Sequence, residues 1–222
     1  MIRLVVFDLA GTTVRDDGHV AAAFTEALAA DGIAITPGEL GRVRGASKRE
    51  AVRRLVPDGP GHATRAERVY ADFRARLSAR LREPGGVAPI DGAERVFRWL
   101  RARGVRVALN TGFDRDITSL VTRALAWDSR LVDAVVCGDD VREGRPAPFL
   151  VFHAMEATGT TDVKRVANVG DTTLDLEAGF RADVGWNVGV LTGAHDRARL
   201  AAAPHTHILD SIAELPGLFA AE

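Results

Sequence analysis

The chain has 222 residues, 46% of them hydrophobic and 27% charged, with a formal net charge of −1. That balance builds a folded core and excludes intrinsic disorder, and it gives no bulk field directed at nucleic acid or a membrane surface. The single cysteine, Cys137, excludes an internal disulfide and suits a reducing, cytoplasmic setting; neither a signal peptide nor a membrane span can be read.

The first predicted element is a strand over 3–7, the apolar run Leu4-Val5-Val6-Phe7, which stops at Asp8. The turn Gly11-Thr12-Thr13 follows. Residues 15–85 then carry helical patterns (20–31, 47–56 and 62–82) and no convincing buried strand. The turn signals Asp16-Asp17-Gly18 and Pro84-Gly85-Gly86 bracket this block. It reads as a helical insert in a core formed by 1–14 and 86–222. Its basic excess reads mostly as solvated helix faces, although a positive lid over an acidic core would suit a metal with an anionic substrate between them.

Beyond the insert, helix and strand alternate. Ala93, Val96, Phe97 and Leu100 recur at helical spacing, with Gly104 as the stop, and a strand over 105–110 follows. A helix with Ile117, Leu120, Val121 and Leu125 on one face leads to a strand over 132–137. The next helix starts at Pro146 or Pro148 and sets Phe149, Phe152 and Met155 or Glu156 one turn apart. Strands over 163–169 and 186–191 complete the series. Continuously apolar strands alternating with helices predict an α/β fold, a Rossmann-like doubly wound parallel sheet. His205 and His207 have the spacing of two ligands but no third nearby, so a surface turn beside the strand Thr206-His207-Ile208-Leu209 is the reading taken. Cys137 is expected to pack in the sheet.

Open α/β sheets bind ligands at the carboxyl ends of their strands. At those ends stand Asp8, then Thr111-Gly112, then Arg145, then Gly170-Asp171-Thr172-Thr173-Leu174-Asp175. These groups suit phosphoryl chemistry. Asp8 serves as nucleophile and metal ligand, and Asp171 as a second hard oxygen for Mg2+. The Thr111 hydroxyl and neighbouring backbone N–H groups are placed to hold phosphoryl oxygens, and Arg145 to offset the negative charge. Arg145 has the alternative of pairing with a structural acid such as Asp139 or Asp140. Thr12 has two readings, a backbone bond in its turn or a phosphate contact. Asp175 has the alternative of capping a helix.

With these segments in this order, the chain resembles the haloacid dehalogenase superfamily over its whole length. Motif one is Asp8-Leu9-Ala10-Gly11-Thr12, motif two Thr111-Gly112, motif three Arg145 and motif four Gly170-Asp171 with Asp175. The resemblance implies an aspartyl-phosphate formed on Asp8 and hydrolysed by water. It also implies Mg2+ bound by Asp8, the Ala10 carbonyl and Asp171, with Asp175 ligating or orienting, and it places the insert where the type 1 subgroup carries a helical cap. Superfamily phosphatases and phosphomutases generally have a second Asp where this chain has Ala10, which can neither donate nor accept a proton. Alanine there resembles the phosphonoacetaldehyde hydrolase (phosphonatase) branch, whose cap lysine forms a Schiff base before carbon–phosphorus cleavage. The stretches GTTV, NTGFDRD, GRPAPF and VGDTTLDLEAG are similar to that branch, as is TGAHDRARL at 192–200, for which the sequence supplies no role. The matching lysine is Lys48 in Gly45-Ala46-Ser47-Lys48, whose neighbours Arg44 and Arg49 are expected to lower its pKa. The branch's histidine three positions on is Ala51 here, its early cysteine is Gly18, and its cap is longer. Lys48 therefore has two readings, imine former and anion clamp. The expected function is Mg2+-dependent hydrolysis of a small anionic phosphorylated or phosphonate metabolite, phosphonatase-like. A phosphomonoesterase and a non-catalytic phosphate- or partner-binding protein are the alternatives, as a monomer or a homodimer.

Overall fold

The computed structural model describes residues 1–220. Its strands are β1 (Leu4–Asp8), β2 (Arg106–Asn110), β3 (Ala134–Val136), β4 (Val166–Gly170), β5 (Trp186–Val190) and β6 (His207–Leu209). They form one wholly parallel sheet in the order β3-β2-β1-β4-β5-β6. β1 is central and entirely buried. Its side chains alternate between the faces as strand geometry requires. Val5 and Phe7 join the cluster that includes α5 (Ala93–Arg101), with the Phe7 and Phe97 rings 5.3 Å apart. Leu4 and Val6 pack with Leu150, Val151 and Ala154 of α7 (Phe149–Thr158). Burial on both faces is why this strand reads as unbroken apolar sequence.

The remaining core helices are α6 (Arg115–Ala124), α8 (Thr173–Arg181), α9 (Arg197–Ala201) and α10 (Leu215–Ala220). Among the described residues no helix is long and apolar enough to cross a membrane.

Two local expectations need correction, and a third is met in spacing. The strand expected over 132–137 is only three residues long; just before it, Asp133 meets Val107 through its N–H to the Val107 carbonyl at 2.7 Å and its carboxylate to the Val107 N–H at 2.9 Å. Residues Val163–Arg165 form a 3-10 turn, not strand, with the Asp162 side chain accepting from the Lys164 N–H. In α7 the Phe149 and Phe152 spacing holds, but both rings face outward; Leu150, Val151 and Ala154 make the buried face. A helix apolar nearly all round does not announce which side is inside.

Between β1 and α5 lie four helices, α1 (His19–Ala30), α2 (Pro37–Arg42), α3 (Lys48–Leu55) and α4 (His62–Arg82). The short α2 was not expected; Thr36 and Glu39 close a capping box around its first turn. α1 packs on α4, with Phe24 and Phe73 stacked at 4.2 Å. Most of the arginines here are absorbed by ion pairs: Arg65 and Arg68 with Asp31, Arg76 and Arg80 with Glu26, Arg49 and Arg53 with Glu67, Arg54 with Glu50, Arg15 with Asp17 and Arg74 with Asp114. The solvated-face reading of the basic excess therefore accounts for most of it.

Candidate active site

The parallel register sets Asp8 opposite Asn110 and Phe7 opposite Val169, so β1, β2 and β4 deliver their following residues to one edge. Arg145 joins them from the loop after β3. It donates to Asp8 Oδ1 at 2.7 Å and to Asp175 Oδ1 at 2.8 Å, all three side chains being buried. It also bonds the Asn110 side chain and the Asn110 carbonyl. Asp139 and Asp140 are instead engaged by Arg115, so the structural-partner reading of Arg145 is set aside.

Asp171 accepts from the Thr12 hydroxyl at 3.0 Å and from the Ala194 N–H at 2.7 Å. Gly11, at φ +93°, has no room for a Cβ, which would lie 2.6 Å from Asp171 Oδ2. Carboxylate oxygens of Asp8, Asp171 and Asp175 lie within 4.8 Å of one another. Burial, with Asp175 repelling and Arg145 opposing, raises the Asp8 pKa to about 6. Burial and the charges of Asp8 and Asp175 also raise that of Asp171 well above the ordinary value. Three buried carboxylates face one guanidinium, and a divalent cation would cancel the remaining double negative charge. The hard oxygen donors suit Mg2+ or a similar ion.

One sequence-derived role needs correction, and for Asp175 the orienting and capping alternatives are the ones met. Thr12 bonds neither backbone nor the cavity: it is fully buried and donates to Asp171. Asp175 has both oxygens engaged, Oδ1 by Arg145 and Oδ2 by the Thr172 N–H and hydroxyl in a capping box at the start of α8. It therefore orients Arg145 at least as directly as it offers a ligand. At the end of β2, the Thr111 N–H donates to Val136 O and the Phe113 N–H to Thr111 Oγ1. That leaves the Thr111 hydroxyl proton and the Gly112 N–H to meet an anion.

A cavity of about 60 Å³ opens beside Asp8, lined by Ala10, Lys48, Thr111, Gly112, Arg145 and Asp171 among others. At ~10–15 Å³ per water it holds roughly four to six waters, which sets the scale of a substrate. Lys48 enters from the first turn of α3. Its N–H donates to Gly112 O at 2.9 Å, and its ammonium stands 5.1 Å from the Phe113 ring centre. The Lys48 pKa is lowered, as the sequence suggests, but the cause differs. Burial dominates, Asp8 opposes it and Arg145 adds to it. Arg49 instead pairs with Glu67 and stacks on Tyr70. Ala51 is packed in the core, away from this cavity.

Sequence reasoning missed the other wall. Asp16, read only as part of a turn, lines the cavity, as do Arg44, Phe24 and Val43. His207 stacks on Trp186 at 5.3 Å and His205 bonds the Ala203 carbonyl, both structural roles. Cys137 is buried at the end of β3, and burial pushes its thiol to about 11.

A parallel α/β sheet with an aspartate at the end of its central strand, an acidic loop after the next and an inserted helical block defines a class, and the haloacid dehalogenase-like hydrolase family model matches residues 2–183. The chain belongs to that family and is a hydrolase. Within it, the chain is 33% identical over 210 residues to the phosphonoacetaldehyde hydrolase of Bacillus cereus, covering 88% of this chain and 78% of that protein. In fold it is similar to a phosphonoacetaldehyde hydrolase-like protein from Oleispira antarctica, with a TM-score of 0.86, 23% identity and coverage of 99% and 92%. A hydrolase from Pseudomonas syringae gives 0.84 at 23% identity, covering 99% and 98%.

Proposed function

We propose that the protein is a phosphonatase-like hydrolase cleaving the carbon–phosphorus bond of a small phosphonate that bears a carbonyl group. The observation that carries this reading is Lys48: a pKa-depressed amine in the cavity of Asp8, with Ala10 where a proton-donating acid would otherwise stand. A lowered pKa supplies the free amine that condenses with a carbonyl. Loss of water gives a protonated imine on Lys48. The Asp8 carboxylate then attacks phosphorus, and the carbon–phosphorus electron pair moves into the imine to give an enamine. The leaving carbon thus needs no proton from residue 10. Water hydrolyses the aspartyl-phosphate, and protonation and hydrolysis of the enamine free the methyl carbonyl product. Arg145, the Thr111 hydroxyl and the Gly112 N–H hold the phosphoryl oxygens. Asp8 and Asp171, with the Ala10 carbonyl and with Asp175 ligating or orienting, would hold Mg2+, which supplies charge neutralisation when bound. The helices of 15–85 act as a cap that closes over the substrate and excludes water.

Borohydride added to the protein with phosphonoacetaldehyde is expected to fix a reduced adduct on the Lys48 peptide, read by mass spectrometry. A Lys48→Arg protein is expected to lose both the adduct and phosphate release. Full activity in that variant would remove the imine mechanism. A second reading, phosphomonoester hydrolysis, is supported by Asp16, whose side chain lines the same cavity and in its protonated form would donate to a leaving alkoxide. Phosphate released from a phosphoester panel, no adduct, and loss of activity in Asp16→Asn would favour it.

A further inference from the structure

The stretch TGAHDRARL has no part in the chemistry above, yet its first four residues clasp the acidic edge. The Thr192 hydroxyl donates to Gly11 O at 2.7 Å, in the turn after β1. The Ala194 N–H donates to Asp171 Oδ2 at 2.7 Å. His195 Nδ1 accepts from the Thr173 N–H at 3.1 Å, in the first turn of α8. Gly193 between them cannot carry a side chain, because a Cβ would run into the Asp171 carboxylate. One four-residue loop therefore ties together the turn after β1, the carboxylate after β4 and the start of α8.

His195 is the only side chain in this clasp that reaches α8, and it is 3% exposed. A backbone N–H can only donate, so Nδ1 carries no proton and the ring is neutral. Burial, with Arg199 and Arg44 nearby, favours the same state and lowers its pKa to about 4. Nε2 has no hydrogen-bond partner among the described residues. The ring is thus held in a buried place through one bond, which points at the acidic loop. We propose that His195 is a positioning residue: by anchoring Thr173 it fixes the Ala194 amide against Asp171 and sets the direction in which Asp171 presents its carboxylate to a divalent cation. Partners behind a metal ligand tune its affinity by about 10–100-fold.

This inference rests on the cation reading of the acidic edge but not on the substrate. The test is Mg2+ titration of the full chain by calorimetry, with amide exchange of Ala194 and Thr173 followed in the cation-free protein. His195→Ala is expected to weaken Mg2+ binding about tenfold or more and to speed exchange at both amides. His195→Asn, which places an amide oxygen near the Nδ1 position, is expected to stay within about threefold of the unaltered protein. Unchanged Mg2+ affinity in His195→Ala would overturn the proposal. So would a His195→Asn protein as weak as the alanine variant, or an unaltered protein that binds no Mg2+. Should His195→Ala not fold, the comparison passes to Thr192→Val, which cuts another tie of the clasp and is expected to bind Mg2+ more weakly than His195→Asn. Neither readout uses a substrate, so carbon–phosphorus cleavage can fail while this inference holds.

Discussion

Arg145 meets Asp8 at 2.7 Å and Asp175 at 2.8 Å, yet Asp8 still titrates near 6 because burial and the Asp175 charge outweigh the ion pair. One guanidinium does not neutralise this edge. Asp8→Asn is therefore expected to do two opposite things. Turnover should fall by a factor of about a thousand or more, since the nucleophile is gone. The cation-free protein at pH 7 should become more stable, by about 1–3 kcal/mol, because a pKa raised from 3.8 to about 6 means that the ionised form opposes folding. That gain should shrink as the pH falls through 6 and vanish below about 4, where Asp8 is protonated in both states. Denaturant unfolding in EDTA across pH 4–8 measures it, and added Mg2+ should erase it.

Gly193→Ala tests how tightly Asp171 is enclosed. The new methyl would overlap the carboxylate and drive it from its bond with Ala194. Overpacking of this kind costs about 1–3 kcal/mol. Mg2+ affinity should fall with stability, whereas Gly217→Ala, inside α10 with nothing within 4 Å, should leave Mg2+ affinity unchanged and raise stability by up to about 1 kcal/mol through helix propensity. Thermal melts with and without Mg2+ distinguish the two.

The parallel sheet was legible because β1, β2 and β4 are buried on both faces and read as continuous apolar runs. The acidic edge was legible because each chemical group follows such a strand directly: Asp8, Thr111 and Asp171 need no long-range information to be placed. The cavity's other wall was not. Asp16, Arg44 and Val43 lie in turns and helix ends whose position depends on how α1 and α4 pack together and how the block sits on the core, which spacing along the chain does not encode. Nor could the Thr12 hydroxyl be seen to choose Asp171, 159 residues away, over its own turn. His195 gave only a signal of wording, since a histidine in a polar loop looks the same whether it is solvated or buried.

Ala10→Asp restores the carboxylate missing from the cavity. A further negative charge near Lys48 would raise its pKa, as Asp8, Asp16 and Asp175 already do, and so reduce the free amine. Borohydride trapping should shift to higher pH and fall about tenfold at pH 7, while phosphomonoester hydrolysis should rise from its basal level as the new acid protonates the leaving alkoxide. A pH profile of adduct yield, beside phosphate release from both substrate types, reads the exchange of one chemistry for the other.

One of the ties between the helical block and the core centres on Asp114. Asp114 caps α6 through Oδ1, accepting from the Ile117 N–H at 3.0 Å, and takes the Tyr70 hydroxyl at 2.7 Å and Arg74 at 2.6 Å on Oδ2. Arg74 also reaches Asp116 at 2.5 Å, and Tyr70 and Arg74 both stand on α4, so α4 and the start of α6 move as one unit unless these bonds break. If the block opens to admit substrate, either it pivots about this tie or the tie is released in each cycle. Tyr70→Phe removes one bond while leaving Arg74 to neutralise Asp114, so stability should drop by only about 1 kcal/mol. Under the release model kcat should rise where opening limits turnover, with KM rising as closure weakens. Under the pivot model both should stay within about twofold. Steady-state kinetics of Tyr70→Phe at several solvent viscosities separate the two, because only a rate limited by opening follows viscosity.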